Sequence, residues 1–128
     1  MFIETPHDPL TRQIIGAAID VHRALGPGLL ESAYERCLEH ELDLRHLQVE
    51  RQVALPVVYK DLVVEKAYFV DLLVEGKVVV ELKAVEELTD AHRAQVLTHL
   101  KWANLRVGLL INFNEASLRR GLRRLVRG

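Results

Sequence analysis

Three ionisable side chains interrupt an apolar stretch in the middle of the chain. The segment FVDLLVEGKVVVELKAV (69–85) has the pattern of a β-hairpin, yet it contains Asp71, Glu81 and Lys83. Glu81 and Lys83 are two residues apart, so their side chains leave the same face of their strand. Two carboxylates beside a lysine suit a hard cation such as Mg²⁺, with the ammonium free to hold a water or to stabilise charge on a phosphate. The alternative is that Glu81 and Lys83 face solvent on an edge strand and pair with cross-strand neighbours.

The register of this hairpin decides whether the two acids meet. A two-residue loop would place Asp71 opposite Val80, on the wrong face. A three-residue loop with Gly76 in the left-handed conformation shifts the pairing by one residue. We expect this second register to place Asp71 opposite Val79, on the face of Glu81 and diagonal to it. A metal site on the hairpin requires this second register or an equivalent bulge.

Composition limits the class of protein. The 128 residues are the size of one ordinary domain, and we expect a single domain over residues 1–128. The lone Cys37 excludes an intrachain disulfide and a cysteine-based zinc site, and favours a reducing, cytoplasmic location. Residues 1–10 lack the basic start and apolar core of a signal peptide, and no apolar run approaches the roughly 20 residues that span a bilayer. The formal net charge of −1 is not the strongly basic balance of many nucleic-acid-binding domains.

The periodicity of apolar residues predicts an α/β fold. We expect a mixed four-stranded sheet flanked by helices, in the order α-α-β-β-β-α-β-α. A helix joins the last two strands, and a right-handed crossover would make them parallel. The predicted helices cover about 9–25, 29–44, 90–103 and 115–126, and the predicted strands cover about 51–59, 62–74, 77–85 and 106–113. The C-terminal segment SLRRGLRRLVRG (117–128) carries five arginines without an acid, which form either a solvated helix face or a basic strip for an anionic polymer.

Two motifs carry a resemblance to a known family. Asp71 and Glu81-Leu82-Lys83 lie on a hairpin that follows one helix and precedes another. The segment GLLESAY (28–34) contains the pattern G-x-x-E-x-x-Y. Together they resemble the GxxExxY family of the PD-(D/E)XK nuclease superfamily, whose fold is restriction-endonuclease-like. The similarity extends from about residue 21 to residue 113, with valine in place of the proline that names the superfamily.

The resemblance implies metal-dependent hydrolysis of phosphodiester bonds. By this resemblance, Asp71, Glu81 and the backbone carbonyl of Leu82 bind Mg²⁺ or Mn²⁺, and Lys83 orients or activates water. Glu31 matches an acid that several nucleases of the superfamily bring to the metal site from their first core helix. It is therefore a candidate metal ligand and catalytic residue. The alternative is that Glu31 only stabilises the start of its helix through the helix dipole.

Three further residues enter the candidate site by the same resemblance. Gln95 matches the glutamine of a Q-x-x-x-Y motif found near the active sites of related nucleases, while His99 stands where the tyrosine is expected. His22 precedes LGPG as in the family, although a buried histidine on a helix is more often a hydrogen-bonded core residue. A zinc site made by His92 and His99 is an alternative that lacks a recognisable third ligand.

The predicted function is a magnesium-dependent nuclease that acts on nucleic acid, with DNA favoured over RNA. So small a domain is expected to act as a homodimer or within a larger complex, and no membrane partner is expected. A non-catalytic module of the same fold that binds nucleic acid or serves in assembly is the alternative. A hydrolase of another phosphoester is a third reading.

Overall fold

The computed structural model describes residues 8–128, which form a five-stranded sheet with helices on both faces. Residues 1–7, on which the expectation about a signal peptide largely falls, lie outside the described residues. No helix in the described part of the chain combines the length and apolarity needed to cross a bilayer. The helices are α1 (Asp8–Leu25), α2 (Glu31–Leu44) and α3 (Asp90–Ala103), and the strands are β1 (Val49–Tyr59), β2 (Leu62–Val74), β3 (Val78–Lys83), β4 (Val107–Asn112) and β5 (Leu122–Val126).

The strands lie in the order β1-β2-β3-β4-β5. The predicted parallel pairing of the strands on either side of α3 is confirmed, because β3 and β4 are parallel while all other neighbours are antiparallel. The predicted mixed α/β class is thus correct, but the sheet has five strands instead of four. The bounds of α1 to α3 and of β1 to β4 differ from the predicted ones by at most two residues.

The sheet is buried on both faces at its centre. Side chains of α1 and α2 pack on one face, against a set that includes Val78, Val80 and Leu82. Side chains of α3 pack on the other face, against a smaller set that includes Val79 and Leu110. The near-continuous apolar run of β3 follows from this arrangement, since a central strand covered on both sides has no solvent face. A charge on β3 is therefore enclosed unless it lies near the strand end.

The predicted helix over 115–126 is wrong. The chain forms a short 3₁₀-helix at Leu118–Gly121 and then β5, which pairs with β4 in antiparallel fashion. Leu122 packs with the α1/α2 core and Leu125 with the α3 core, on opposite faces of the sheet. Their spacing with Leu118 resembles a helical period, but the open edge of β4 offers a full row of hydrogen bonds to a strand.

The C-terminal arginines consequently do not form one helix face. Arg123 donates to the backbone carbonyls of Arg120 and Leu122, at 2.8 and 2.9 Å. Arg127 donates to the carbonyl of Leu105 at 2.9 Å and to the side chain of Asn104 at 3.2 Å. These two guanidinium groups bond the surrounding backbone and side chains. The predicted helix face is therefore wrong, whereas the basic strip for an anionic polymer stays a prediction.

The hairpin of β1 and β2 extends beyond the rest of the sheet. The pairing register shifts between Leu55 and Val57, on either side of Pro56, and the tip beyond the shift turns at residues 60–61 as predicted. Large apolar side chains of this tip are exposed, with Tyr59 and Leu62 at 66% and 60% of their full accessible surface. We refer to residues 57–64 as the hairpin tip.

Candidate metal centre

The turn between β2 and β3 sets the register on which the candidate site depends. Residues 75–77 form a three-residue loop, because Val74 pairs with Val78. Gly76 has the predicted left-handed conformation, with φ of 62°, and Glu75 shares it with φ of 55°. The amide of Lys77 donates to the carbonyl of Val74 at 3.0 Å and closes the turn. The three-residue register expected for a metal site is the one that forms.

The expected partner of Asp71 within that register is wrong. Val79 pairs with Leu73 and Val80 with Leu72, so the next step of this register corresponds to Asp71 and Glu81. One more residue in the loop moves the partner of Asp71 one position toward the C-terminus, from Val80 to Glu81. The two acids therefore lie at the same level of the hairpin, one step beyond its last regular pair, instead of diagonally.

The regular pairing of β2 with β3 ends just before these two acids. Beyond it, the side chain of Asp71 accepts a hydrogen bond from the backbone of β3. Regular pairing of β2 with β3 stops at Leu72 and Val80, although both strands continue. The amide of Leu82 donates to Oδ2 of Asp71 at 2.9 Å. The carboxylate thus replaces a backbone acceptor and is held at the opening between the strands.

Gln52 on β1 links the same carboxylate to α2. Its Nε2 donates to Oδ1 of Asp71 at 3.2 Å and to Oε1 of Glu35 at 2.8 Å. Gln52 has a φ of 54°, and the inward-facing pattern of β1 changes sheet face there: Val49 packs with the α1/α2 core, whereas Val53 packs with the α3 core. This backbone reversal brings the side chain of Gln52, which is itself exposed, against both carboxylates. Sequence reasoning missed Gln52, because no local pattern marks it.

The acid that α2 brings to this cluster is Glu35. It is buried, with 7% of its surface exposed, and one of its oxygens lies 3.9 Å from Nη1 of Arg51. Glu31, the predicted helix acid, lies one turn earlier, is half-buried and makes no hydrogen bond or ion pair. Glu35 shares an inward stripe with Leu38 and Leu42, and an acid in that stripe was the sequence signal that could have identified it.

Burial and the neighbouring carboxylates raise the pKa of Asp71. Burial, as the largest cause, raises its pKa from 3.8 to about 6; the negative charges of Glu81 and Glu35 raise it further, and the hydrogen bonds from Leu82 and Gln52 oppose the rise. The amide donors thus only partly offset the loss of water. Because burial and like charges make the ionised form of Asp71 unfavourable, a cation bound in this cluster would stabilise the negative charge.

Glu81 is the most enclosed acid of the cluster. Only 4% of its surface is exposed, and its Oε2 lies 3.0 Å from Nδ1 of His99. Its other oxygen, Oε1, is buried without a hydrogen-bond partner. The short contact with His99 has the distance of an ion pair but not the angles of a hydrogen bond, so Nδ1 is also unsatisfied. Buried polar atoms in proteins are nearly always satisfied, so an unpaired carboxylate oxygen indicates a position for a ligand.

His99 is enclosed by Tyr68 of β2. The imidazole stacks on the phenol ring, with centroids 4.3 Å apart and planes 14° from parallel. The Tyr68 hydroxyl donates to the backbone carbonyl of His99 at 3.1 Å, and burial together with the charge of Glu81 raises the pKa of Tyr68 above 10.0. His99, at the position of the expected tyrosine, therefore does reach the candidate site.

Lys83 is the last residue of β3. It pairs with Asn112 of β4, and its carbonyl accepts a hydrogen bond from Phe113 at 2.9 Å. Its side chain is half-buried and makes no hydrogen bond or ion pair with any residue of 8–128. The strand alternation places Lys83 on the face of Glu81, as predicted. The ammonium is therefore available to a ligand near the two acids.

The remaining predicted residues have other contacts. Nε2 of His22 lies 2.7 Å from the carbonyl of Glu115, so His22 fastens α1 to the segment after β4. Gln95 is exposed on α3 and makes no hydrogen bond. Nδ1 of His92 accepts from the amide of Thr89 at 3.0 Å in a capping box. His92 thus stabilises the start of α3, which leaves the zinc alternative without support.

The G-x-x-E-x-x-Y segment fixes the entrance to α2. The hydroxyl of Tyr34 donates to the carbonyl of Gly26 at 2.5 Å and accepts from the amide of Leu29 at 3.0 Å. Its ring stacks on Phe113 at 4.7 Å. Gly28 adopts a φ of 103°, which disfavours any side chain. The segment orients α2 and with it Glu35.

The residues fit an open cation site. Within residues 8–128 no three side chains of the types His, Cys, Asp and Glu converge closely enough to enclose an ion. Asp71 and Glu81 lie just beyond the last regular pair of the hairpin, however, and Oε1 of Glu81 is buried with no hydrogen-bond partner among the described residues. Mg²⁺ is commonly held by one or two carboxylates, with water and substrate phosphate supplying the other oxygens. The geometry suits that kind of site and not a fully protein-enclosed one.

Comparison with known sequence families gives a match over most of the chain. A sequence model of the PD-(D/E)XK nuclease superfamily matches residues 8–125, a range that includes Asp71, Glu81 and Lys83. No curated protein and no solved structure matches the chain.

Proposed function

Because the chain belongs to the PD-(D/E)XK nuclease superfamily, we propose that it is a metal-dependent nuclease that hydrolyses phosphodiester bonds at Asp71, Glu81 and Lys83. Nucleases of this superfamily typically use divalent metals, and Mg²⁺ or Mn²⁺ is the proposed cofactor. The observation that carries the proposal is the buried, unpaired Oε1 of Glu81 opposite Asp71, with the unpaired Lys83 on the same strand.

Each residue has a role in this proposal. Asp71, Glu81 and the carbonyl of Leu82 would hold the cation, which would supply Lewis acidity to the scissile phosphate. The Leu82 amide and Gln52 hold the Asp71 carboxylate in place. Lys83 orients the attacking water and offsets negative charge that develops on the phosphate.

We assign the acid that α2 contributes to the metal site to Glu35 instead of Glu31. Glu35 contacts Gln52, which in turn contacts Asp71, and its charge acts on Asp71. We therefore propose Glu35 as the acid that α2 contributes, through the cluster that it already joins. In this proposal Glu35 takes the role that the resemblance gave to Glu31, and Gln95 and His22 stay predictions as site residues.

Finer features of the proposal go beyond superfamily membership. Membership of the GxxExxY family is supported by the contacts of Tyr34 and the left-handed Gly28. We further propose that residues 1–128 form one nuclease domain, that DNA is favoured over RNA as substrate, that the protein is cytoplasmic, and that it acts as a homodimer or in a larger complex.

A non-catalytic assembly module is the second candidate function. The observation that favours it is the hairpin tip, whose exposed apolar side chains suit contact with another protein. A lysine on the same strand as a buried acid and close in the hairpin to a half-buried one has no evident use in a module that only binds. The nuclease therefore remains the main proposal.

A nuclease assay tests the main proposal. The full chain is incubated with single- and double-stranded DNA and RNA in Mg²⁺, Mn²⁺ or EDTA, beside the variants Glu81→Ala and Lys83→Ala. We expect metal-dependent cleavage by the wild type and a loss of at least 100-fold in both variants. Glu87→Ala and Lys77→Ala remove the same charges from exposed neighbouring positions and should cleave normally. A wild type that neither cleaves nor binds metal would favour the assembly module.

A further inference from the structure

His99 stands beside the buried acid in an unusual arrangement. Its Nδ1 lies 3.0 Å from Oε2 of Glu81, and both side chains are more than nine-tenths buried. Water therefore cannot readily replace either partner. The contact places Nδ1 beside one carboxylate oxygen at ion-pair distance, without the angles of a hydrogen bond, and leaves the other, Oε1, buried with no partner among the described residues.

The imidazole is held from two directions. Tyr68 stacks on its ring at 4.3 Å and donates a hydrogen bond to its backbone carbonyl at 3.1 Å. The neighbours Val96 and Leu100 of the same helix are fully buried against the sheet. The capping box of Thr89 and His92 fixes the start of this helix. The position of the ring is thus set by packing that does not involve Glu81.

We propose that His99 is a positioning residue that holds Oε2 of Glu81 and thereby directs Oε1 toward the cation. A carboxylate on a strand can rotate about its side-chain bonds, and a fixed neighbour removes that freedom before the ligand arrives. Tyr68 takes part by fixing His99. The inference rests on the proposed metal site, and it assigns to His99 no contact with substrate.

The test measures metal affinity, independently of cleavage. Titration calorimetry of Mn²⁺ into the full chain compares the wild type with His99→Phe, which keeps a ring for Tyr68 to stack on but has no nitrogen. We expect a rise of about tenfold in the Kd for Mn²⁺. His99→Asn, whose amide nitrogen lies near the position of Nδ1, should recover most of the affinity. His40→Phe makes the same change at an exposed position of α2 and should bind as the wild type does.

A second variant covers the case in which His99→Phe does not fold. Tyr68→Leu removes the stacked ring and the phenol while leaving His99 in place, and we expect a rise of about threefold to tenfold in Kd. A folded His99→Phe with the wild-type Kd would overturn the inference and leave the proposed function intact, as would an unchanged Tyr68→Leu. A wild type that binds no Mn²⁺ would overturn both.

Discussion

The side-chain amide of Gln52 is shared by two carboxylates, at 2.8 Å from Glu35 and 3.2 Å from Asp71. An amide nitrogen carries two hydrogens, so one donor group can satisfy an oxygen on each acid. Because Glu35 belongs to α2 and Asp71 to β2, Gln52 couples the orientation of a helix to the acid pair of the hairpin. The left-handed backbone of Gln52 makes this geometry possible.

Glu35 should matter more than Glu31. We expect Glu35→Gln to lower nuclease activity about tenfold and to lower the pKa of Asp71, because the change removes a like charge from the cluster. Glu31→Gln is the matched control on the same helix, one turn earlier, and should change activity less than threefold. Cleavage rates and a ¹³C-detected NMR titration of Asp71 provide the measurements. Equal effects of the two substitutions would contradict this assignment.

Asp71 should make stability depend on pH. Its folded pKa of about 6 exceeds the ordinary 3.8, so folding favours the protonated acid. That contribution is fully present below about pH 4 and is lost as the pH rises through about 6. Relative to Asp71→Asn, the wild type should lose about 1–2 kcal/mol of unfolding free energy between pH 4 and pH 8, after allowance for partial exposure.

Urea denaturation in EDTA at the two pH values measures this difference. Asparagine keeps an oxygen for the Leu82 amide without a titratable group, so it serves as the reference. A difference between the two proteins that does not change with pH would show that Asp71 titrates in its ordinary range.

The turn at Gly76 should tolerate few side chains. Its φ of 62° is strained for a β-branched residue, although no atom lies within 4 Å of an added Cβ. We expect Gly76→Val to lower the free energy of unfolding by about 1–2 kcal/mol and to weaken Mn²⁺ binding through a shift of register. Gly76→Asn should have a smaller effect, because asparagine accepts this conformation. Urea denaturation measures the free energy of unfolding, and calorimetry measures the Kd for Mn²⁺. A Gly76→Val variant with the wild-type value of both would contradict the role of the turn.

The hydroxyl of Tyr34 should stabilise the fold through the loop before α2. Tyr34→Phe keeps the ring stacked on Phe113 and removes the hydrogen bonds to Gly26 and Leu29. We expect a loss of about 1–2 kcal/mol in unfolding free energy, as for other hydrogen bonds to partly buried backbone. Tyr59→Phe, in the exposed hairpin tip, is the control and should denature as the wild type does.

The sequence could mark the acids as candidates but could not show what surrounds them. Asp71, Glu81 and Lys83 stand out because polar residues break an apolar strand pattern, and their role in the site stays a prediction. Glu35 could not be matched to its partner, since helical periodicity gives the direction of a side chain but not the strand that it meets. The role of Gln52 could not be predicted, because glutamine has no local preference for a positive φ.

The error at the C-terminus has a different cause. Leucines at positions 118, 122 and 125 fit a helix, and only the open edge of β4 makes a strand the better structure. Such an edge exists only after the rest of the sheet has formed, so no reading of the local residues could reveal it. The same holds for Gly121, where a Cβ would lie 2.6 Å from the carbonyl oxygen of Asn112.

The reversal of the backbone at Gln52 also has a consequence for self-association. β1 is an outer strand of the sheet, where a regular row of amides and carbonyls could recruit a strand from another molecule. Gln52 interrupts this row by its positive φ, and Pro56 interrupts it again by lacking an amide hydrogen. Only residues 53–55 lie between the two breaks, a stretch too short to nucleate a fibril-like ladder. The residue that bonds both carboxylates thus also interrupts the free edge of β1 as a template for strand addition.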